Sequence, residues 1–257
     1  MNRFLVKKVA VLGAGVMGAQ IAAHLVNVGV PVLLFDLPAA EGPNKNGIVD
    51  KAIEGLKKLK PAALGVPADA SLIEAANYEQ HLPRLAECDL VIEAIAERMD
   101  WKRDLYQKIA PHIAAHAILA SNTSGLSITK LSEALPEALR ARYCGIHFFN
   151  PPRYMHLVEL IPARETDPAL LDELEPFLTT TLGKGVVRAK DTPNFIANRV
   201  GIWGILATVR EAERFGLGID VVDDLTGRRL GRAKSGTFRT ADIVGLRTIG
   251  QVVGTVQ

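Results

Sequence analysis

With 257 residues, 48% of them hydrophobic, the chain is long enough to bury a sizeable core without a metal or a disulfide to hold it. Its 30 Lys and Arg against 28 Asp and Glu leave a net charge of +2, which argues against nucleic acid or an anionic membrane as the main partner. The two cysteines, Cys88 and Cys144, show neither CxxC nor Cys/His spacing, which argues against zinc and against a secreted disulfide framework. No metal is therefore expected, and a reducing, cytoplasmic setting is the default.

The start, "MNRFLVKKVAVLGAGVMGAQIAAHLV", sets basic residues before an apolar run. Glycines cut that run and the continuation is amphipathic, against a signal peptide. No stretch reaches the roughly 18 to 20 apolar residues of a membrane span. Over the first 190 residues "KVAVL", "PVLLFD", "LVIEAI", "AILASN", "YCGIHFF", "HLVELI" and "GVVRA" read as strands between helical periods. This alternation predicts an α/β fold, a Rossmann-like doubly wound sheet with helices on both faces. "NGIVDKAIEGLKKLK" has helical spacing up to Pro61, residues 61–77 are Ala/Pro-rich and hard to decipher, and Asp100 reads as the N-cap of "WKRDLYQKIA". After "DTPNF" the pattern changes: "FIANRVGIWGILATVREAERFG" reads as one long amphipathic helix closed by Gly216, followed by helix and turn. The expected domains are residues 1–190, binding a nucleotide, and 191–257, a smaller all-α domain. The apolar tail "IGQVVGTVQ" without a polar cap points to a helical unit cut short.

In "KVAVLGAGVMGAQIAAHL", Gly13, Gly15 and Gly18 take GxGxxG spacing after a strand and at a helix start. The first glycine makes a tight turn, the second lets a pyrophosphate approach the backbone, and the third lets helix pack on strand. The helix N-terminus, with Val16 and Met17 in its first turn, offers free N–H groups to a phosphate. Asp36 ends "PVLLFD", eighteen residues past Gly18, where its carboxylate would accept from ribose hydroxyls. A 2′-phosphate would be repelled there, and Leu37 and Pro38 bring no positive charge, so NAD is expected over NADP. Glu97 and Lys102, in "VIEAIAERMDWK", either border the cofactor at the same sheet edge or form a solvated pair at a helix start.

"GIHFFNPPRYMHLVEL" reads as two apolar strands broken by Asn150-Pro151-Pro152, yet His147 and Glu159 stand where a core prefers hydrocarbon. A hairpin bend centred on Arg153 would put residue 147 opposite 159. The carboxylate would then fix the imidazole tautomer and make an oriented general base; a polar pair that merely stabilises the hairpin satisfies the same pattern. His156 is separated from Glu159 by an odd number, points to the other face and is taken as off-site.

Together, "GAGVMGAQIA", "EAIAERMDWK", "SNTSGLSI", "HFFNPPRYMHLVEL" and "DTPNFIANR" resemble, in order and over nearly the whole chain, the L-3-hydroxyacyl-CoA dehydrogenase family. The resemblance implies a two-domain enzyme that oxidises the 3-hydroxyl of an acyl-CoA with NAD, in fatty-acid β-oxidation. It makes His147 the catalytic base and Glu159 its partner. It makes Ser124 the hydroxyl that meets the substrate oxygen, Asn198 a substrate-positioning residue, and Glu97, Lys102, Asn122 and Asn150 cofactor contacts. Absent the family, Ser124 would read as a helix N-cap and Asn198 as a helix surface position. Among Lys45, Lys51, Lys57, Lys58 and Lys60, most read as a solvated face, with one or two reaching the CoA phosphates.

"GRRLGRAKSGTFRTADIVGL" departs from the stand-alone pattern and looks more like the dehydrogenase region of multifunctional β-oxidation proteins. A fused or following enoyl-CoA hydratase region would then accompany it. The early stop fits either an excerpt or a short protein whose homodimer supplies the missing cover. Two other functions stay open: an NAD-dependent dehydrogenase of a small hydroxy acid, and a cofactor-binding fragment without turnover.

Overall fold

The computed structural model describes residues 4–246, 249, 250 and 254. The chain divides into two compact units, Met1–Asp191 and Thr192–Gln257.

The first unit is built on an 8-stranded sheet. Its strands are β1 Val9–Leu12, β2 Val32–Asp36, β3 Ile73–Asn77, β4 Leu90–Glu93, β5 Ile118–Ser121, β6 Tyr143–Phe148, β7 Leu157–Pro162 and β8 Gly185–Arg188. Their order is β3-β2-β1-β4-β5-β6-β7-β8. Strands β1 to β6 run parallel, β7 is antiparallel to β6, and β8 is parallel to β7. This is the doubly wound, Rossmann-like arrangement, extended at one edge by a hairpin. The accompanying helices are α1 Val16–Val26, α2 Gly47–Leu56, α3 Met99–Ile109, α4 Ile128–Ser132, α5 Glu137–Arg140 and α6 Pro168–Pro176.

Strands covered on both faces have continuous apolar sequences, and β1, β4, β5 and β6 are buried throughout. Val9, Val11, Leu34, Ile92, Ile118 and Ile146 of the sheet pack in one core with Ile21 and Leu25 of α1. The strand order reverses between β1 and β4, which opens a crevice at the carboxyl ends of these strands. The loops after β1, β2, β4 and β5, where several candidate side chains stand, leave the sheet along that edge.

The structure fills one stretch left unread and corrects two local expectations. Strand β3, "IEAAN", lay in the stretch that resisted reading: Glu, Ala and Asn have low strand propensity, and the segment is extended because it completes the open edge of β2. Helix α2 stops at Leu56, short of Pro61, so Leu59 lies beyond it. Helix α3 starts at Met99 with Arg98 as the extended N-cap, and Asp100 sits inside the first turn, where the Arg98 guanidinium pairs with its carboxylate.

The second unit contains α7 Ala197–Arg214, α8 Ile219–Thr226 and α9 Phe238–Val244. Helix α7 is followed by Gly216 at φ +61. Asp223 of α8 accepts from the Phe238 and Arg239 N–H groups at 2.6 and 3.0 Å, which caps α9. Of the tail "IGQVVGTVQ", only Ile249, Gly250 and Gly254 are among the described residues. Among the described residues no helix is long and apolar enough to cross a membrane.

Candidate active site

The loop from β1 into α1 forms the first part of the site. Gly13 has φ +105, and a Cβ there would lie 2.8 Å from Ala94 O. A Cβ on Gly18 would lie 1.8 Å from Gly13 O, so this glycine lets α1 close on the loop. Around a Cβ on Gly15, the N-cap of α1, nothing lies within 4 Å. The backbone is therefore open at the one position where a pyrophosphate would approach the helix N-terminus.

Val16 is exposed in the first turn of α1 and Met17 is half-buried. Asp36 ends β2; its Oδ2 accepts from Ala14 N–H at 2.6 Å and its Oδ1 from Leu37 N–H at 2.7 Å. A cavity of about 510 Å³ runs along this edge, with Gly13, Gly15, Asp36, Leu37, Ile95 and Trp101 in its lining. The open glycine, the helix N-terminus and the carboxylate at the end of β2 fit a dinucleotide.

Next along the edge, β4 ends in the fully buried Glu93. Its Oε1 accepts from Lys102 Nζ at 2.5 Å and Ile95 N–H at 2.8 Å. Its Oε2 accepts from Ser121 Oγ at 2.8 Å and from the Tyr106 hydroxyl at 3.0 Å, which in turn meets the Tyr143 hydroxyl at 3.0 Å. A buried carboxylate persists only when so paired. Burial pushes both phenols well above their ordinary pKa, so they stay protonated donors.

Glu97 and Lys102, the two residues expected to border the cofactor, both have partners within the protein. Lys102 is fully buried on the inner face of α3; its ammonium pairs with Glu93 at 2.5 Å and lies 3.8 Å from Glu97 Oε2. Glu97 turns toward the loop after β5: its Oε1 receives the Thr123 hydroxyl, Ser124 N–H at 2.9 Å and Gly125 N–H at 3.0 Å. Glu97 thus clamps the loop that carries Ser124. Ser124 does not cap a helix; α4 is capped by Ser127, whose side chain accepts from Lys130 N–H at 3.2 Å. Asn122 Oδ1 accepts from Phe148 N–H at 2.9 Å and ties the end of β5 to β6.

The hairpin of β6 and β7 completes the edge. Its register sets His147 opposite Glu159, with His147 Nδ1 at 2.7 Å from Glu159 Oε2. Both side chains are buried, so the carboxylate orients the imidazole in a place where water does not compete. The Phe149 ring lies 4.4 Å from the His147 ring, centroid to centroid. Asn150, at the start of the connecting turn, accepts from Gln20 Nε2 of α1 at 3.3 Å. His156 is exposed, and its ring packs where a Cβ on Gly185 would otherwise stand, 2.8 Å away.

Asn198 lies in the first turn of α7, in the second unit. Sequence reading missed Glu93, Tyr106, Tyr143 and Gln20, and with them Lys184, whose buried ammonium donates to Pro152 O and Met155 O of the turn between β6 and β7. Glu93 was signalled by a carboxylate closing the apolar run "LVIE", and Lys184 by a lysine between two glycines in "GKG". The others carry no local signal, because Tyr106 and Gln20 on helices and Tyr143 on β6 acquire their polar partners only through tertiary packing.

Residues 8–192 match the family model described as 3-hydroxyacyl-CoA dehydrogenase, NAD binding domain. Over 247 residues the chain is 47% identical to the probable 3-hydroxyacyl-CoA dehydrogenase of Deinococcus radiodurans, covering 96% of this chain and 71% of that protein. It is 42% identical to a putative fatty acid oxidation complex trifunctional enzyme of Rickettsia felis, over 93% of this chain and 33% of that protein, and so spans about a third of that relative. Among solved structures, the (S)-3-hydroxybutyryl-CoA dehydrogenase of Ralstonia eutropha matches with a TM-score of 0.82 at 28% identity, over 98% of this chain and 87% of that one.

Proposed function

Because the chain belongs to the 3-hydroxyacyl-CoA dehydrogenase family of NAD-dependent oxidoreductases, we propose that it interconverts an L-3-hydroxyacyl-CoA and the corresponding 3-oxoacyl-CoA. The observation that carries this reading is the buried His147–Glu159 pair, held across one hairpin at the sheet edge that the glycine loop also borders.

Gly13, Gly15, Gly18 and Asp36 would hold the dinucleotide, with Val16 and Met17 beside its phosphates and Asn122 and Asn150 toward its other end. When bound, the nicotinamide supplies the hydride acceptor for oxidation and the donor for reduction. The protein's own part is the proton. Glu159 accepts from His147 Nδ1–H, which leaves Nε2 as the nitrogen that takes the 3-hydroxyl proton; in reduction the same atom returns it. Ser124, on the loop that Glu97 clamps, offers a hydroxyl to the substrate oxygen, and Asn198 positions the substrate from the first turn of α7.

The substrate is read as a CoA thioester because the relatives are named for CoA substrates. A place in fatty-acid β-oxidation is supported by the name of the Rickettsia relative, and an accompanying hydratase region belongs to the same reading; a homodimer belongs to the alternative, in which a second copy covers the helical unit. The buried, unpaired Cys88 and Cys144 accord with a cytoplasmic setting.

The test is NADH oxidation with acetoacetyl-CoA, run beside His147→Gln. The expected outcome is turnover in the parent and a loss of about 10² to 10⁴ in the variant, the range of a positioned general base, with NADH affinity retained. Equal turnover in both would remove His147 from the reaction. Turnover of a small hydroxy acid without CoA, in place of acetoacetyl-CoA, would replace the substrate assignment.

A further inference from the structure

Lys184 stands immediately before β8, between Gly183 and Gly185, and is 4% exposed. A buried ammonium is costly unless its donors are met. Here it donates to Pro152 O and, at 3.0 Å, to Met155 O. Both carbonyls belong to the turn that joins β6, which carries His147, to β7, which carries Glu159. Burial lowers the Lys184 pKa, as expected of a desolvated cation with no carboxylate partner among the described residues.

The same turn is tied on its outer side. Arg153 Nη1 donates to Ala62 O and Leu64 O at 2.8 and 2.7 Å, and the Tyr154 hydroxyl donates to Ala62 O at 2.9 Å. Its own N–H groups at Tyr154 and Met155 both donate to Pro151 O at 3.0 Å. The turn begins at Asn150, which meets Gln20 of the nucleotide-loop helix, directly after Phe149, whose ring packs on His147. A shift of this turn therefore displaces Asn150 relative to α1 and Phe149 relative to the imidazole.

An apolar residue would fill the space under the turn at less desolvation cost, but it would leave the Pro152 and Met155 carbonyls unmet and the turn free to rotate away. Gly185 supports the arrangement. Its N–H donates to His156 O at 2.9 Å, and its missing Cβ leaves room for the His156 ring, so β8 lies close enough for Lys184 to reach beneath the turn.

We propose that Lys184 is a positioning residue for the reaction: its ammonium holds the turn of residues 150–156, and through it Asn150 and Phe149, in register with His147 and the nucleotide-binding helix. The role rests on the dehydrogenase reading given above.

The test compares Lys184→Met and Lys184→Arg with the parent by two independent readouts, well below each protein's unfolding midpoint. The first is steady-state reduction of acetoacetyl-CoA by NADH. The second is hydrogen exchange of the peptide spanning residues 149–157, with tryptic cleavage after Arg153 as a companion. The expected result for Lys184→Met is a kcat lowered about 10- to 100-fold, the scale of a misplacement near 1 Å, with NADH affinity within about threefold. Exchange in the turn rises while the peptides of β1 and β4 stay protected, and Lys184→Arg recovers at least part of kcat.

A turn that exchanges at the parental rate in Lys184→Met, or a released turn with undiminished kcat, overturns the proposal. If the parent itself has no turnover, the dehydrogenase reading fails. The turn's exchange and NADH binding then still decide whether Lys184 holds the turn.

Discussion

His147 and Glu159 face each other across adjacent antiparallel strands, joined by a 2.7 Å Nδ1–Oε2 contact and buried to 3% and 1% exposure. Neither residue is placed by a loop. Their relation is fixed by backbone pairing on both sides, from Cys144 opposite Pro162 to Phe148 opposite Val158, so the imidazole orientation follows from sheet register.

Replacing Glu159 with Gln keeps the shape of the pair and removes its charge. A smaller loss than for His147→Gln is expected, about 10- to 100-fold in kcat, because the amide oxygen still accepts from Nδ1–H while the charge that stabilises the protonated ring in the transition state is gone. Glu159→Leu, which leaves Nδ1 unmet, should fall further. Steady-state kinetics with acetoacetyl-CoA checks the order; equal rates for parent and Glu159→Leu would show that the pair only braces the hairpin.

The glycine loop separates binding from folding. A Cβ at Gly15 meets no atom within 4 Å, so Gly15→Ala should leave the unfolding midpoint nearly unchanged while weakening NADH binding about tenfold or more, where the methyl meets the pyrophosphate. A Cβ at Gly18 would stand 1.8 Å from Gly13 O, so Gly18→Ala should lower stability by about 1–3 kcal/mol as α1 is forced off the sheet. Thermal unfolding beside fluorescence titration with NADH gives both numbers; identical behaviour of the two variants would contradict this division.

Glu97 gathers donors from Thr123, Ser124 and Gly125. If its work is to hold the Ser124 loop, Glu97→Ala should reduce kcat about tenfold or more and leave the NADH dissociation constant within about threefold. A direct cofactor contact would give the reverse pattern, a weakened NADH affinity with kcat retained at saturation. Binding titration and saturation kinetics on one preparation separate the two.

How much of this was legible in the sequence depended on where each signal resides. The path β1–α1–β2 has a local signature: a continuous apolar strand, glycines at fixed offsets and a terminal carboxylate all lie within Val9–Asp36. The pairing of His147 with Glu159 was legible because antiparallel geometry turns a turn centre into a list of partners. The burial of Lys102 was not legible because nothing in "DWKRD" says which face of α3 meets the sheet; its packing against Glu93 is a tertiary fact. Strand β3 was hidden for the opposite reason, since its extended form comes from pairing with β2 and not from its residues.

His24 makes stability depend on pH. Its Nε2–H donates to Leu182 O at 3.1 Å, and its Nδ1 has no hydrogen-bond partner among the described residues. Burial first, and the nearby Lys184 charge second, lower its pKa from 6.5 to about 4. Between these values the unfolded chain binds a proton that the folded chain refuses, so stability falls as pH drops from 6.5 toward 4 and this contribution levels off below. The full effect is on the order of 3 kcal/mol. Urea unfolding of the parent and His24→Gln across this range should show the parent losing that much relative to the variant; a constant difference would mean that His24 does not titrate in this way.

The Glu93–Lys102 pair is the sharpest test of whether polar contacts at this sheet edge act as one unit. Both side chains are almost wholly excluded from solvent, at 0% and 1% exposure, and the carboxylate also collects Ile95 N–H, Ser121 Oγ and the Tyr106 hydroxyl. Lys102→Met removes one partner and leaves a buried charge, which should cost about 3–5 kcal/mol. Adding Glu93→Gln neutralises that charge while the amide oxygen still accepts from some of the remaining donors, so the double variant should lose less than the two single losses added together, by about 1–3 kcal/mol of coupling. Urea unfolding of the two singles, the double and the parent closes the cycle. Strict additivity would show that Lys102 fills space rather than balances Glu93.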